Sequence, residues 1–387
     1  MQTLMNMARN NMRQYSMIIA LVFIMLLFQV LTDGILLEPL NITNIILQNS
    51  YILVLAIGMV LVIITGHIDL SVGSIAAFVG AISGMLMVTY NVPTFLAVII
   101  SLLIGALIGA WQGFWIAYVK IPAFIVTLAG MLLFRGLTMI VLEGQSIAPF
   151  PESFKKMSSG FIPDISAGGS LHILTIIIGL LLSLILIFNE VKNRRTQLKY
   201  GFEVTPSGIF ITKLIAFFAI INVFAYILAL YEGIPNILII LGILIIVYTF
   251  VMRKTVVGRH IYAIGGNEKA AQLSGVKTKK VTFLVFVNMG VLSALSGLIF
   301  AARLNAATPR AGNLFELDAI AACFIGGASA YGGIGTLPGA IIGGLVMGIM
   351  NNGMSIIGLG IDWQQAIKGL VLLAAVAFDI YNKNKAL

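Results

Sequence analysis

The chain has 387 residues, of which 60% are hydrophobic and only 10% are charged. Soluble domains carry about 25% charged residues, so this composition excludes a water-soluble globular protein with a polar surface. The mean hydropathy is +1.06 and the formal net charge is +9. We therefore expect most of the surface to face lipid.

Long apolar runs recur along the whole chain, and they do not alternate in polarity as barrel strands do. A helix of about 20 apolar residues crosses a hydrocarbon core of about 30 Å, so these runs predict transmembrane helices. The predicted spans lie at about 15–32, 51–66, 74–90, 95–118, 124–142, 171–188, 209–230, 236–252, 281–302, 317–330, 338–353 and 363–380. The sequence predicts an all-α polytopic membrane protein with about 10–12 transmembrane helices. Some of them are expected to be broken or half-helices, above all the short segment 317–330.

Charge gives the predicted orientation of these spans. The amino-terminal stretch MQTLMNMARNNMRQYSM has no small-residue cleavage site before its apolar run, which favours a retained first span over a removed signal peptide. With this terminus inside, 17 of the 23 Lys and Arg residues fall in inner loops and four in outer loops. The positive-inside rule then predicts that both termini are cytoplasmic. The larger cytoplasmic loops lie near 189–210 and 253–280, within a single membrane-embedded domain over 1–387.

The stretch HIDLSVGS, residues 67–74, places a carboxylate between two apolar runs. A carboxylate at membrane depth costs at least about 2.5–3.5 kcal/mol. In one interpretation, Asp69 and Ser71 cap a helix that starts near Ser74, with Gly66 and Gly73 allowing the turn. In the other, a helix broken at depth presents backbone groups to a transported solute.

Several motifs resemble one family. GHIDLSVGSIAA, residues 66–77, closely resembles the signature of the membrane subunits of binding-protein-dependent ABC transporters for monosaccharides, the ribose, xylose and galactose permeases. The shorter ribose-type members lack a central stretch like 189–230, which favours the longer xylose or multiple-sugar type. Further resemblances follow in order along the chain, at 120–140, 258–276, 295–344 and 363–379.

This resemblance implies a permease subunit that moves a monosaccharide across the cytoplasmic (inner) membrane in an ATP-driven importer. It implies an ATP-binding subunit on the cytoplasmic side, an extracytoplasmic sugar-binding protein and a second permease copy. No GxxxxGK[ST] phosphate loop occurs, and the glycine-rich stretch 332–340 has no lysine. We therefore expect no enzyme activity and no cofactor on this chain, with ATP used by the partner subunit. Cytoplasmic loops that face anionic lipid account for the positive charge, without nucleic acid.

The loop 258–276 is expected to dock on the ATP-binding subunit, because its small residues permit close approach of another protein. A short helix from Glu268 to Leu273, ended by Gly275, fits the helix stop rules. A solvated loop is the alternative. The candidate coupling residues are Gly258, Arg259, Gly265, Gly266, Asn267, Ala270, Ala271, Ser274 and Gly275.

Polar residues within the spans are the candidates for the substrate pathway. Amide side chains offer both donors and acceptors to sugar hydroxyl groups, although they also join helices to one another. Asp69 and Asp318 are expected to hold the ends of two half-helices beside the pathway. The candidate pathway residues are Asp69, Ser71, Asn288, Asn305, Asp318 and Asn351.

Other functions remain as alternatives. The same architecture could import a nucleoside, a branched-chain amino acid, a signalling sugar or another small solute. An ion-coupled secondary transporter would also need intramembrane carboxylates. A membrane enzyme is the weakest alternative, because no cluster of catalytic side chains is visible at an interface. No metal site is expected, since the three histidines are scattered and the single Cys323 has no partner.

Overall fold

The computed structural model describes residues 12–165, 171–202 and 204–386. Within these ranges the chain is helical and contains no β-strand, apart from two isolated bridges. The first 11 residues of the amino-terminal stretch, on which the prediction of a retained span partly rests, lie outside the described residues. The all-α fold class predicted from composition is confirmed.

Fifteen helices of six residues or more follow one another along the described chain. They are α1 (Met12–Leu31), α2 (Pro39–Ile64), α3 (Val72–Gly84), α4 (Thr94–Phe114), α5 (Ala123–Leu142), α6 (Glu152–Ser159), α7 (Ile173–Lys199), α8 (Ser207–Ala229), α9 (Asn236–Lys254), α10 (Val256–Gly266), α11 (Glu268–Leu273), α12 (Thr278–Leu304), α13 (Phe315–Ile325), α14 (Leu337–Ile356) and α15 (Ile361–Ala386). A π-helical turn extends α3 to Thr89, and another extends α4 to Val119.

Nine helices of the described ranges are long and apolar enough to cross a membrane: α2 to α5, α7 to α9, α12 and α14. The shorter α13 and the two terminal helices α1 and α15 match the remaining predicted spans. A helix therefore lies at each of the twelve predicted positions. The expected half-helix is α13, which has 11 residues instead of the roughly 20 that a full span needs.

Helix α2 is the core of the bundle. In the most apolar stretch of α2, 83% of the residues are buried within the chain. The corresponding shares are 17% for α7 and 11% for α8. Side chains of α12, α13 and α14 pack around α2, and Ile52, Val54 and Leu55 are fully buried there. The pair α7 and α8 lies at the periphery, where its apolar side chains remain exposed to the surroundings.

The predicted start of the second span, near residue 51, is wrong, because α2 begins at Pro39. The added turns carry polar residues that suggest a loop in the sequence. In the structure these side chains bind one another across helices. Asn41 Nδ2 donates to Asn352 Oδ1 at 2.9 Å, and Asn352 Nδ2 donates back to Asn41 Oδ1 at 3.0 Å. Buried amides that satisfy each other are stable inside a helical bundle.

The two predicted cytoplasmic loops are largely helical. Helix α7 continues to Lys199, so only residues 200–206 connect it to α8. Its charged residues are all Lys, Arg or Glu, which are good helix formers and support this extension. The second loop contains α10 and α11, and α11 spans the residues predicted for a short helix.

Replacing Asn352 by Ala should lower the thermal stability of the purified protein, because it leaves the buried Asn41 amide without its partner. A lost buried hydrogen-bond partner costs about 1–3 kcal/mol. Melting in detergent measures the effect for Asn41→Ala, Asn352→Ala and the double variant. The exposed Asn193 provides the control Asn193→Ala. Strictly additive losses in the double variant would show that the two amides do not interact.

Candidate functional site

A re-entrant segment, residues 65–71, joins α2 to α3. Gly66 adopts φ +80, a backbone conformation that glycine reaches without strain, and the predicted turn at this position is confirmed. Thr65 Oγ1 donates to the carbonyl of Val62 at 2.7 Å, which closes the end of α2. The segment then turns back into the bundle.

Asp69 is buried and lies at the centre of a hydrogen-bonded group. Its Oδ1 accepts from the Ser71 backbone N–H at 2.8 Å and from the Ser71 hydroxyl at 2.6 Å. The same hydroxyl oxygen accepts from Gln112 Nε2 of α4 at 2.8 Å. All three residues are at most 1% exposed. We call Asp69, Ser71 and Gln112 the polar triad.

The capping interpretation is partly wrong. Ser71 occupies the residue before α3, but its side chain makes no capping hydrogen bond. Its hydroxyl instead donates to Asp69 and accepts from Gln112, and both bonds direct it away from the free N–H groups of α3. Asp69 instead fixes the backbone of Ser71, and this sets the direction in which α3 starts.

The triad lies inside the bundle and not at its edge. Gln112 lies seven residues before Val119, where the π-helical turn of α4 ends, which corresponds to roughly 10 Å along the helix. A Cβ atom added at Gly130 of α5 would collide with the Gln112 amide. The absence of a side chain at Gly130 therefore gives Gln112 its place beside Ser71.

Gly73 has another role than the predicted one. Its φ is not positive, so it forms no glycine-specific turn. A Cβ atom there would meet the carbonyl oxygen of Gly312 and the carboxylate of Glu316. Gly73 therefore allows the first turn of α3 to touch the start of α13.

Helix α13 also starts within the bundle. Phe315 stacks on Tyr51 at 4.0 Å between ring centroids, and Tyr51 lies halfway along α2. Glu316 is 5% exposed, and one of its carboxylate oxygens is buried without a hydrogen-bond partner in the described part of the chain. The starts of α3 and α13 thus meet at depth, with the carboxylates of Asp69 and Glu316 on this junction.

Sequence reasoning selected Asp318 and missed Glu316. Asp318 lies in the first turn of α13, as expected for a residue at the end of a half-helix, but its Oδ1 accepts from Lys368 Nζ of α15 at 2.9 Å. Glu316, two residues earlier, faces α3. The signal that could have found it is the repeated carboxylate in FELD, although its contact with Gly73 is not visible in the sequence.

The remaining pathway candidates lie apart from the triad. Asn288 of α12 accepts a hydrogen bond from the Tyr248 hydroxyl of α9. Asn305 ends α12 at φ +55 and accepts from the Phe150 N–H at 2.9 Å. The side-chain oxygen of Asn351 is buried without a partner among the described residues. Of the six candidates, the structure joins only Asp69 and Ser71 by hydrogen bonds within the described ranges.

The predicted helix Glu268–Leu273 is confirmed as α11. Asn267 caps it, since its Oδ1 accepts from the Ala270 N–H at 3.0 Å. Gly275 adopts φ +87 just beyond its end. Leu273 is 90% exposed, the highest value among the large apolar side chains that the structure describes.

The nine coupling candidates divide into two groups. Gly258 and Ala271 are buried and Gly265 is half-buried, and these three hold the loop in place. A Cβ atom at Gly265 would collide with the carbonyl oxygen of Ile64. The six candidates with exposed surface are Arg259, Gly266, Asn267, Ala270, Ser274 and Gly275.

The inner side of α10 is fixed to the end of α2. The Ile64 carbonyl that touches Gly265 also accepts from the Gly333 N–H at 2.8 Å. Tyr262 of α10 donates from its hydroxyl to the Gly335 carbonyl at 2.8 Å. Gly265, one of the coupling candidates, therefore contacts the residue that directly precedes the re-entrant segment.

A cavity of about 370 Å³ separates α11 from the re-entrant segment. Gly66, His67, Lys120, Glu268 and Thr282 are among its lining residues. Lys120 Nζ donates to Glu268 Oε1 at 2.9 Å, which links the end of α4 to α11. This hydrogen bond lowers the pKa of Glu268, so the ion pair is intact at neutral pH and is lost only as the pH falls through that lowered value. Burial lowers the pKa of the His67 imidazole.

Within the described ranges, no group of three His, Cys, Asp or Glu side chains is placed to hold a metal ion. The two features that stand out chemically are therefore the polar triad with Glu316 and the exposed surface of α11. Both are connected to residues 64–71.

The chain is similar to several characterised permeases. It is 41% identical to the xylose transport system permease protein XylH of Haemophilus influenzae, over 97% of this chain and 98% of the relative. It is 38% identical to XylH of Escherichia coli K12, over 97% of this chain and 94% of the relative. It is 35% identical to the ribose import permease protein RbsC of Haemophilus influenzae, over 90% of this chain and 87% of the relative.

No solved structure matches the chain. A family model described as "Branched-chain amino acid transport system / permease component" matches residues 41–376, a range that contains the polar triad, the junction of α3 with α13, and α11. The chain therefore belongs to this family of multi-pass membrane transport permeases.

Proposed function

We propose that this chain is the permease subunit of an ATP-driven importer that moves a monosaccharide, with xylose as the first candidate. The observation that carries the proposal is similarity over nearly the full length to two xylose transport permeases. The aligned part, 97% of this chain, extends over the peripheral helices α7 and α8. Ribose permeases are similar at lower identity, which supports a sugar as the cargo.

The polar triad and Glu316 are the proposed polar contacts of the pathway. They offer two carboxylates, a hydroxyl and an amide, and one carboxylate oxygen of Glu316 has no partner among the described residues. Such groups suit a solute with many hydroxyls, each of which can donate and accept. The starts of two short helices meet there, and the ends of broken helices are where transporters expose polar backbone to a solute.

Helix α11 is the proposed contact for a separate ATP-binding subunit, which would use the ATP. A sugar-binding protein would deliver the solute on the opposite face, and a second permease copy would complete the pore. The protein would lie in the cytoplasmic membrane with both termini in the cytoplasm. No cofactor on this chain and no nucleic acid are needed for this function.

A branched-chain amino acid is the second candidate cargo, because the matching family is described by that solute. The polar groups of the triad favour a hydroxyl-rich solute over an aliphatic one. An ion-coupled mechanism remains a distinct alternative and is separable by experiment.

Deletion of this chain should abolish uptake of labelled xylose, and the restored gene should recover it, because the pathway requires the permease. Labelled glucose, galactose, ribose and leucine are measured in parallel, in cells that keep the neighbouring ATP-binding and solute-binding subunits. Uptake should also persist when the membrane potential is collapsed at constant ATP. Loss of leucine uptake alone would overturn the sugar assignment, and dependence on the potential would overturn the ATP-driven one.

Replacing Asp69 by Ala should lower uptake by about tenfold, the equivalent of roughly 1.4 kcal/mol, because two hydrogen bonds to Ser71 are lost. Asp69→Asn keeps an acceptor oxygen and removes the charge, so it separates geometry from charge. The exposed Asp362 gives the matched controls Asp362→Ala and Asp362→Asn. Uptake is compared at equal protein level. Wild-type rates in both Asp69 variants would remove this residue from the pathway.

Replacing Leu273 by Asp should weaken binding of the ATP-binding subunit and lower the ATP hydrolysis that the permease stimulates. The reason is that a charge replaces the most exposed large apolar side chain of the proposed contact. The control Gln272→Asp adds the same charge on the neighbouring exposed residue and leaves Leu273 in place. Co-purification of the ATP-binding subunit and stimulated ATP hydrolysis in proteoliposomes measure the effect. Equal loss in both variants would mean that added charge alone, and not Leu273, is responsible.

A further inference from the structure

The hairpin of α7 and α8 has one end at which every described residue is exposed or half-buried. Its buried side chains are confined to the other end. From residue 184 to residue 224 no described residue is buried. Asn222 Nδ2 donates to Ser183 Oγ at 3.1 Å and joins the two helices just below this free end. The surface from 184 to 224 is therefore open to lipid and to the membrane interface.

Helix α7 is longer than a membrane requires. Its 27 residues extend over about 40 Å, whereas the hydrocarbon core is about 30 Å thick. The apolar part runs from Ile173 to Phe188, and charged residues begin at Glu190. The last turns of α7 must therefore lie at the level of the lipid headgroups.

These turns and the start of α8 carry a cluster of cations. We call it the basic elbow, and it comprises Lys192, Arg194, Arg195, Lys199 and Lys213. Lys213 Nζ forms an ion pair with Glu190 Oε2 at 3.0 Å, so the charge of Lys213 is balanced. The other four cations have no carboxylate partner among the described residues. Acidic Glu203 lies outside the described ranges, and even with it the elbow keeps an excess of positive charge.

Arg194 shows how the elbow can hold an anion. Its guanidinium lies over the Phe210 ring at 4.3 Å, and its Nη2 donates to Ser207 Oγ at 3.0 Å. A guanidinium carries five N–H donors, and this one gives one of them to a protein acceptor. A guanidinium that is oriented by two neighbours and retains free N–H groups is suited to a phosphate oxygen.

Exposed aromatic side chains flank the cations. Tyr200 is 69% exposed and Phe202 is 64% exposed, both in the connection between the helices. Aromatic rings of this kind are typical of the membrane interface, where the ring meets acyl chains and the polar edge meets headgroups. A surface that contacts a protein partner in water would not require exposed aromatic rings next to the end of a membrane helix.

We propose that the basic elbow binds the phosphate headgroup of an anionic phospholipid. The cations attract the headgroup, Arg194 supplies directed hydrogen bonds to its phosphate, and Tyr200 and Phe202 contact the adjoining acyl chains. Each basic residue near an anionic membrane surface contributes about fivefold to binding. The site is independent of the transported solute, so it stands whether or not the proposed cargo is correct.

The test uses the full-length protein in nanodiscs that contain phosphatidylglycerol and phosphatidylcholine. Native mass spectrometry then counts the lipids that remain bound. Wild type should retain phosphatidylglycerol in preference to phosphatidylcholine. The variant Lys192→Gln, Arg195→Gln, Lys199→Gln should retain at least about tenfold less of the anionic lipid, as should Arg194→Gln to a smaller degree.

The matched control removes three cations elsewhere on the surface, Lys155→Gln, Lys156→Gln and Arg310→Gln, and should keep wild-type retention. Equal retention in the elbow variant, or equal loss in the control, overturns the proposal. Competition by inorganic phosphate at the same concentration as the lipid would indicate a free-anion site instead. Loss of the ATP-binding subunit without loss of lipid would indicate a protein contact.

A second measurement does not depend on any variant. Addition of phosphatidylglycerol to wild-type protein in phosphatidylcholine nanodiscs should raise its melting temperature, and the gain should shrink as salt is increased, because salt screens exposed charges. A gain that is the same for both lipids, or insensitive to salt, contradicts the proposed headgroup site.

Discussion

Backbone N–H and C=O groups that end inside a membrane have no water to bind, so the chain itself must satisfy them. This constraint acts most strongly where α3 and α13 begin inside the bundle. The Asp69 carboxylate satisfies the Ser71 N–H by accepting its hydrogen bond. At the end of α2, the Gly333 N–H satisfies the Ile64 carbonyl by donating to it. The polar groups that a solute could use are thus the same groups that make a broken helix possible.

Contacts between backbones hold the central elements together. Cβ atoms added at Gly73, Gly297, Gly326 or Gly343 would collide with main-chain atoms of neighbouring segments. Small residues that allow such close approach drive helix association in lipid, where the hydrophobic effect gives no preference between helices and acyl chains. At these four positions glycine therefore serves packing and not flexibility. A bundle joined in this way transmits displacement from one helix to the next because little empty space lies between them.

Local patterns predicted most of the fold, and contacts distant in sequence account for the rest. Apolar runs located every span, and capping rules located α11 to the residue. The start of α2 was missed because Asn41 is a residue type typical of loops. Its hydrogen-bond partner Asn352, which stabilises it inside the bundle, lies 311 positions later in the chain. Glu316 was missed for the same reason, since its neighbour Gly73 is remote in the chain. Asp69 and Ser71 were found because a carboxylate between apolar runs is unusual, but Gln112 as their partner was not predictable.

The two candidate sites are connected through very few residues. Ile64 touches Gly265 of α10 on one side, and Asp69 follows Ile64 by only five positions. The Lys120–Glu268 pair ties α11 to the end of α4, which is the helix that carries Gln112. Because exposed ion pairs add only about 0.2–1 kcal/mol to stability, this pair matters more for position than for folding. Movement of α10 and α11 against the bundle would therefore reach the polar triad from two directions, through the re-entrant segment and through α4.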